Sequence, residues 1–407
     1  MTYMYMSPIF TALRRHKMPV VLIAAQIGLT LAVFCNAAYL LSDAVATVSV
    51  QSGVSDKELG LAKITACDAC QASDINARAL NFLRRLDGVS AVAVVNTVPF
   101  SSRQADFGIR LDQASKRETA SAHFYAVGPD APKVLGLELS AGRQLTADDF
   151  QPAKGALPSN ANVWVTQALA SSLWPGQTAL GKDFWVNQWH FTVVGTMRHL
   201  VRPEFELQPR FKADWSVIVP MQPGSGLYGT YVFRASPEKL AAIVNTVRSE
   251  LGRVIPGVIV DEDNTRTMSI LRTEYFKGDV SMISILATIV GATLLTTVLG
   301  IVGLTSFWVS RRRRQIGVRR ALGATRFDIL QYFLIENAFI VSLGNLVGLA
   351  SAYALNLGLM QLYELPRLPF LYLPLGVLMM LLVGQAAALG PAIRASSIAP
   401  AEAIRVI

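Results

Sequence analysis

Charge is missing from four long stretches of this 407-residue chain. Met18 to Ser42, Val280 to Ser310, Asn337 to Tyr363 and Leu368 to Ile393 contain no Asp, Glu, Lys or Arg. Each is rich in Leu, Ile, Val, Ala and Gly, and each exceeds the ~20 residues with which an α-helix crosses the hydrocarbon core of a bilayer. Between the first two lies a 237-residue segment, Asp43 to Asp279, of ordinary globular composition. The pattern predicts one span, a large domain outside the bilayer, and then three spans.

The net charge of +9 at first suggests a nucleic-acid partner, but its distribution argues otherwise. From Asp43 to Asp279, 24 Lys and Arg face 24 Asp and Glu, so the large domain is neutral. The excess sits beside the spans. Arg14, Arg15 and Lys17 precede the first; Arg311, Arg312, Arg313, Arg314, Arg319, Arg320 and Arg326 separate the second from the third; Arg394 and Arg405 follow the fourth. Short loops rich in Lys and Arg stay in the cytoplasm. Both termini and the loop at 310–328 are therefore expected inside and the large domain outside, in agreement with four crossings.

The first apolar run has 25 residues and no A-x-A-like site after it, so it is expected to stay as an anchor rather than be cleaved as a signal peptide. Residues 1–17 read as an amphipathic helix on the inner membrane surface. The second run, at 31 residues, would reach ~46 Å as a helix, beyond a ~30 Å core. Thr267 to Gly278 has no Pro and is expected to extend that helix outward as a stalk, tilt being the plain alternative. In the third run, Gly344 and Gly348 have the small-xxx-small spacing that lets helices approach closely, a candidate dimer contact.

The large domain reads as α+β. Ala91 to Val98, Phe191 to Thr196 and Ser216 to Pro220 are rich in β-formers, and Val163 to Leu173 reads as a strand turning into a helix. Ser236, Pro237 and Glu238 open a helix whose apolar face is Leu240, Ile243, Val244, Val247 and Leu251. Cys67 and Cys70 form a Cys-x-x-Cys in an oxidising compartment, where a local disulfide is the default. A redox or metal role for the pair lacks a supporting βαβ pattern or nearby histidine.

Catalytic signals are thin. Gly176-Gln-Thr-Ala-Leu-Gly181-Lys182 has a P-loop frame, but Asp183 stands where Ser or Thr must hold magnesium, and a carboxylate there would repel phosphates. A structural turn is expected, and with no other P-loop the chain is not expected to hydrolyse ATP. His16, His123, His190 and His199 are scattered without metal-ligand spacing, and no metal or cofactor is expected on this chain. There is no G-x-S-x-G elbow. Asp148-Asp149 and Asp261-Glu262-Asp263 read as solvated turns or caps rather than paired acids. Glu336, a carboxylate near a membrane interface, is either functional or paired with a loop arginine.

The loop at 310–328 carries the strongest signal. A purely topological loop needs charge but not the apolar Ile316, Val318, Leu322 and Phe327 that it also contains. The mixture suits a short amphipathic helix lying in a protein groove. Its Gln315-Ile-Gly-Val-Arg-Arg-Ala-Leu-Gly-Ala-Thr-Arg326 resembles the E-I-G-x-R-[RK]-A-x-G-A signature of the FtsX-like permease superfamily, with Gln315 in place of the usual acid. Gly390-Pro391 through Pro400-Ala-Glu402-Ala-Ile-Arg405 resembles the family's ending. Lys133 to Arg143, Leu173 to Lys182 and Phe191 to Gly195 are similar to the outer core of its MacB-type members.

The resemblance runs along essentially the full length. It implies four transmembrane helices, one plus three, with a large α+β extracytoplasmic domain built as a porter-like lobe and a second lobe. The implied layout is a cytoplasmic helix at 1–17, a first span at 18–42 and the periplasmic core at 43–266. Stalk and second span follow at 267–309, the coupling loop at 310–328, a third span at 329–361, a short outer loop at 362–369, a fourth span at 370–390 and a tail at 391–407. The family implies a non-catalytic permease subunit of a type VII ABC transporter in a bacterial inner membrane, working beside a second permease copy or paralogue. ATP and magnesium would be bound by a cytoplasmic ATPase dimer, expected on a separate polypeptide because the chain begins at its first span. A periplasmic adaptor and an outer-membrane channel are the implied partners on the other side. Ile316, Gly317, Val318, Arg319, Arg320, Leu322, Gly323, Ala324 and Arg326 would couple to the ATPase. Two other members of the superfamily set the alternatives, a Lol-type lipoprotein extractor and an FtsX-like regulator of a cell-wall enzyme. A membrane-anchored outer enzyme is disfavoured by the missing catalytic set.

Overall fold

The computed structural model describes residues 17–67, 71–101, 105–153, 155–204, 212–363 and 367–398. The chain divides into an outer unit, Ser49–Gly278, and a membrane unit formed by the N-terminal segment to Val48 and everything from Asp279 on. The expected helix at 1–17 and the Cys67–Cys70 pairing lie outside the described residues, apart from the backbone of Cys67 at the end of a strand.

The outer unit opens with β1 (Leu59–Cys67), α2 (Ala72–Arg85) and β2 (Val89–Val94), following α1 (Lys17–Val48) of the membrane unit. Its last strands and helix are β10 (Thr230–Ala235), α5 (Pro237–Val254) and β11 (Val258–Val260). These make one antiparallel four-stranded sheet, ordered β11-β1-β10-β2. That is a split β-α-β pair interleaved into one sheet, a ferredoxin-like arrangement. Ile75, Ala79 and Leu83 of α2 and Leu240, Ile243, Val244, Val247 and Leu251 of α5 bury against Val92, Val94, Tyr231 and Phe233. The apolar face read for α5 from spacing is its buried face.

Between β2 and β10 the chain inserts a second lobe. It contains β3 (Asp106–Ile109), β4 (Ala120–Val127), α3 (Ala131–Leu135), β5 (Leu139–Gly142), β6 (Asn160–Thr166), α4 (Gln167–Leu173), β7 (Asp183–Val186), β8 (Trp189–Met197) and β9 (Ser216–Pro220). The strands run β3-β4-β9-β6-β8-β5, and β7 also pairs with β8. The pairs β4–β9 and β6–β8 are parallel. Arg110 and Trp185 exchange both backbone hydrogen bonds at 2.8 Å, joining the end of β3 to β7 and closing the sheet on itself. Closure removes a sheet edge and encloses Phe124, Val163, Val165, Phe184, Phe191, Val193 and Val217.

The membrane unit holds four helices long and apolar enough to cross a bilayer: α1, α7 (Lys277–Arg311), α9 (Arg326–Tyr363) and α10 (Tyr372–Ser396). Short α8 (Arg313–Ala321) lies between α7 and α9. Without water to drive burial, such helices associate through close backbone approach and interhelical hydrogen bonds. Gly28 on α1 meets the backbone of Gly344 and Gly348 on α9, and a Cβ on either α9 glycine would fall within 2.7–2.8 Å of Ile27 or Leu31. Asn36 donates to the Ala352 carbonyl at 3.1 Å, Asn337 to the Gly384 carbonyl at 2.9 Å, and the hydroxyls of Thr30 and Thr297 lie 2.8 Å apart.

Two boundaries differ from the expectation. The stalk and second span are not one helix, because α6 (Met268–Tyr275) ends at Phe276 before α7 begins. Phe276, at φ −87 and ψ 7, is buried against Phe100. Pro391 does not end the helix of the fourth span, since α10 continues to Ser396. Ala392 and Ala395, beyond the proline, bury into a local cluster.

Candidate functional site

The loop joining the second and third spans folds as α8, a turn and the start of α9. Gly323 closes the turn at φ +100, a conformation that favours glycine. Thr325 and Asp328 then cap α9 reciprocally: Thr325 N–H donates to Asp328 Oδ2 at 2.8 Å and Asp328 N–H to Thr325 Oγ1 at 3.2 Å. The loop residues named from sequence separate into two groups.

One group faces inward. Ile316 is 5% exposed and packs with Ile329, Tyr332, Phe333, Ala392 and Ala395, and Gly317 is buried beside it. Arg320 Nη1 donates to the carbonyls of Ser396 and Ile398, at 2.8 and 3.1 Å. Those carbonyls belong to the end of α10, where a cation and a donor are both favoured. Ala324 is partly buried against the same cluster. Arg319 is exposed but lies over the Tyr332 ring, 4.9 Å from its centroid. Arg312, not singled out from sequence, donates from Nη1 to both oxygens of Glu336 at 3.0 and 2.8 Å, and Glu336 is 2% exposed. Of the two sequence readings of Glu336, the structure shows the ion pair with a loop arginine. A buried charge left alone costs several kcal/mol, so each partner requires the other.

The second group faces outward. Leu322 is 83% exposed, Phe327 68% and Val318 46%. Arg314 and Arg326 are exposed around them. Exposed apolar side chains among exposed arginines, on a loop whose other side is pinned, can meet an apolar groove with acidic walls on another protein.

The remaining candidates fall elsewhere. Gly344 and Gly348 are taken up by α1 of the same chain, so the close approach that their spacing permits is made within one molecule; Gly28, which completes it, was missed because a lone glycine in an apolar run carries no spacing signal. The P-loop-like frame is a turn between α4 and β7: a strand follows Lys182 where a phosphate-binding loop needs a helix, and Lys182 donates to Gln177 at 3.1 Å. Of the turn and cap readings, Asp149 takes the cap, buried and bonded by Arg143, Thr146 and Asn162. The Arg143 hydrogen bond holds its carboxyl well below the usual range.

His123, on β4, is fully buried, with Nδ1 3.0 Å from Asp106 Oδ1 and its ring packed edge-on to Tyr125. Arg202, also buried, lies 3.4 Å from Asp106 Oδ2. Burial holds the His123 imidazole below its ordinary value despite the Asp106 charge. Burial raises Asp106, but the hydrogen bond with His123 and the Arg202 charge bring it below normal. Among the described residues no group of three His, Cys, Asp or Glu is placed to hold a metal ion.

Comparison with known proteins extends this picture. The MacB-like periplasmic core domain family matches residues 23–250, more than half of the chain. The FtsX-like permease C-terminal family matches residues 287–400. YknZ of Bacillus subtilis (strain 168), an uncharacterized ABC transporter permease, is 26% identical over 73% of this chain and 76% of its own length. MacB of Aggregatibacter actinomycetemcomitans, a macrolide export ATP-binding/permease protein, is 26% identical over 56% of this chain, which spans only 34% of that relative. The crystal structure of the periplasmic region of MacB from Actinobacillus actinomycetemcomitans is matched over 97% of its length by 56% of this chain, at 16% identity and a TM-score of 0.34. On the two family matches, the chain belongs to the MacB-like, FtsX-like family of ABC transporter permeases.

Proposed function

We propose that this chain is the permease subunit of an ABC transporter whose ATPase is a separate cytoplasmic polypeptide, and that α8 with the turn after it is the seat for that ATPase. The observation that carries the reading is the two-sided loop. Ile316, Arg320 and the Arg312–Glu336 pair fix one side to the membrane helices, leaving Leu322, Phe327 and Val318 on the other amid arginines. Closure of an ATPase dimer on ATP and magnesium would push on this seat. Because the seat is anchored to α7, α9 and α10, the helices would carry the displacement to the outer domain and drive export there. The arrangement requires a second permease copy or paralogue, both termini in the cytoplasm and the outer domain in the periplasm. There it would meet an adaptor leading to an outer-membrane channel. Macrolide export belongs to the MacB relatives by name, and an export substrate of that class is the starting candidate here.

Reversing Arg319 or Arg320 would disturb the loop's own packing, whereas Leu322→Glu and Phe327→Glu change only the outward patch. Each is expected to weaken ATPase association by more than about tenfold, the scale of losing one interfacial hot spot, while membrane insertion is unchanged. Full ATPase co-purification with both variants contradicts the docking assignment.

A further inference from the structure

Two neighbouring polar atoms in the second lobe stand idle. His123 Nε2 and Ser216 Oγ belong to fully buried residues, and among the described residues neither atom has a hydrogen-bond partner. His123 on β4 and Ser216 on β9 are register partners in the parallel pair of these strands, so their side chains leave the same face of the sheet. Buried polar atoms are ordinarily paired, and two orphans side by side need a physical reason.

The other end of the imidazole is crowded. Nδ1 lies 3.0 Å from Asp106 Oδ1 and 3.3 Å from the Ala105 amide nitrogen. Asp106 Oδ2 in turn lies 3.4 Å from Arg202 Nη1. Arg202 is 2% exposed and sits in the connection between β8 and β9. Its Nε donates to the Trp215 carbonyl at 3.2 Å and its Nη2 to the Ser121 carbonyl, so it pins that connection to β4. Among the described residues, Asp106 is the one carboxylate paired with it. A single carboxylate thus serves two buried bases, one always charged and one charged only when protonated. Its side chain is 28% exposed, which gives protons a way in from solvent. The charges acting on His123 are those of Asp106 and Arg202. Tyr125, edge-on to the imidazole, is the other ionisable group against it; Asp214, bonded to His199, and Tyr275 act on Tyr125 in turn.

We propose that Asp106, His123, Arg202 and Ser216 form a proton-operated latch on the β8–β9 connection: with His123 neutral, Asp106 holds Arg202, and with His123 charged, the imidazolium takes Asp106 and Ser216 and releases Arg202. An imidazolium carries a proton on each nitrogen. One faces Asp106, and the other, at Nε2, finds its acceptor in Ser216 Oγ, which has no other duty. Repulsion between two adjacent buried cations then expels the guanidinium. What opens is the segment that Arg202 pins, where Val201 N–H donates to the Ser52 carbonyl at 3.1 Å and Arg202 N–H to the Ala213 carbonyl at 2.9 Å. A histidine that is merely buried has no acceptor waiting for its charged form; this one does. Burial holds the imidazole below its ordinary value, so the latch is shut at neutral pH and opens in acid. It works whether or not α8 seats an ATPase.

The test is hydrogen exchange on the full-length chain in detergent, from pH 7.5 to pH 5.0, corrected for the intrinsic pH dependence of exchange. In the wild type, exchange at 200–202 rises at least about tenfold below about pH 6.5, the ordinary imidazole value, while β6 and β8 keep their protection. No rise at 200–202, or a loss that β6 and β8 share at the same pH, overturns the latch. His123→Gln cannot charge and holds the segment shut across the range; an acid response of wild-type size in that variant overturns the latch. Ser216→Ala separates a latch from plain destabilisation by a buried histidine. It removes an atom idle in the neutral state, so exchange at pH 7.5 matches wild type, while loss of the acceptor moves the opening about one pH unit lower. An unmoved midpoint in Ser216→Ala overturns the latch. If His123→Gln has already lost β6 and β8 protection at pH 7.5, the Ser216→Ala midpoint decides alone.

Discussion

In the outer domain large rings fill the core and also press on glycine: a Cβ would fall 2.3 Å from the Phe233 ring at Gly60 and 2.5 Å from the Trp164 ring at Gly195. Trp164, Phe184, Phe191 and Phe233 are wholly or almost wholly buried, and the rings of Phe124, Phe184 and Phe191 interlock. In the membrane unit the helices meet through small residues: Gly28 against Gly344 and Gly348, Gly376 against Cys35 and Leu31, Gly384 against Val341. Solvent accounts for the difference. In water, burying apolar area is the driving force, so bulk stabilises. In lipid the surroundings are as apolar as the side chains, so contact must come from backbone approach and from amides that cannot find water.

The sharpest way to break that contrast is to move each unit's rule into the other. Phe191→Ala should cost about 3–5 kcal/mol in the outer domain, seen as loss of exchange protection across β6 and β8. A loss below about 1 kcal/mol would show that this core tolerates cavities and that bulk is not what holds it. Gly348→Leu adds bulk where a Cβ already falls 2.8 Å from Leu31 and 2.9 Å from the Gly28 carbonyl. It should cost about 1–3 kcal/mol or separate α1 from α9; cysteine cross-linking of those helices reads the outcome, and undiminished cross-linking counts against close approach. Asn36→Ala removes one amide-to-carbonyl staple and should cost only about 0.6 kcal/mol, the average for such bonds in a membrane protein.

The gentlest test is titration of His123. Its native value lies below its unfolded one, so as pH falls below about 6.5 the unfolded chain takes up a proton that the native state still refuses. That contribution to stability is complete above about pH 6.5 and is lost as pH falls through the native value. Asp106, held low in the fold, adds a loss in the same direction at lower pH. His123→Gln in the full-length chain should flatten the upper part of this acid sensitivity in β4 and β9, read by exchange protection; an unchanged profile removes His123 from the account.

The same contrast explains what could be read from the chain. The spans and α5 were legible because charge absence and a 3.6-residue apolar period are local signals. The closed sheet of the second lobe was not, since its closure depends on Arg110 meeting Trp185, 75 residues apart, and nothing local marks either. In the coupling loop the composition revealed an amphipathic helix, but seven arginines in 19 residues look alike in sequence. Only their partners tell them apart: Glu336 for Arg312, the Tyr332 ring for Arg319, the end of α10 for Arg320. The stalk failed for a similar reason. Thr267 to Gly278 has no helix breaker of its own, and Phe276, at the interruption, packs on Phe100, more than 160 residues earlier in the chain.

The most direct test of the central claim is affinity purification of this chain from its native membrane in mild detergent, with mass spectrometry of what accompanies it and an independent check that complexes survive. The account predicts a stoichiometric cytoplasmic protein bearing an intact phosphate-binding loop, lost from Leu322→Glu and Phe327→Glu. Intact complexes with no such ATPase would contradict it.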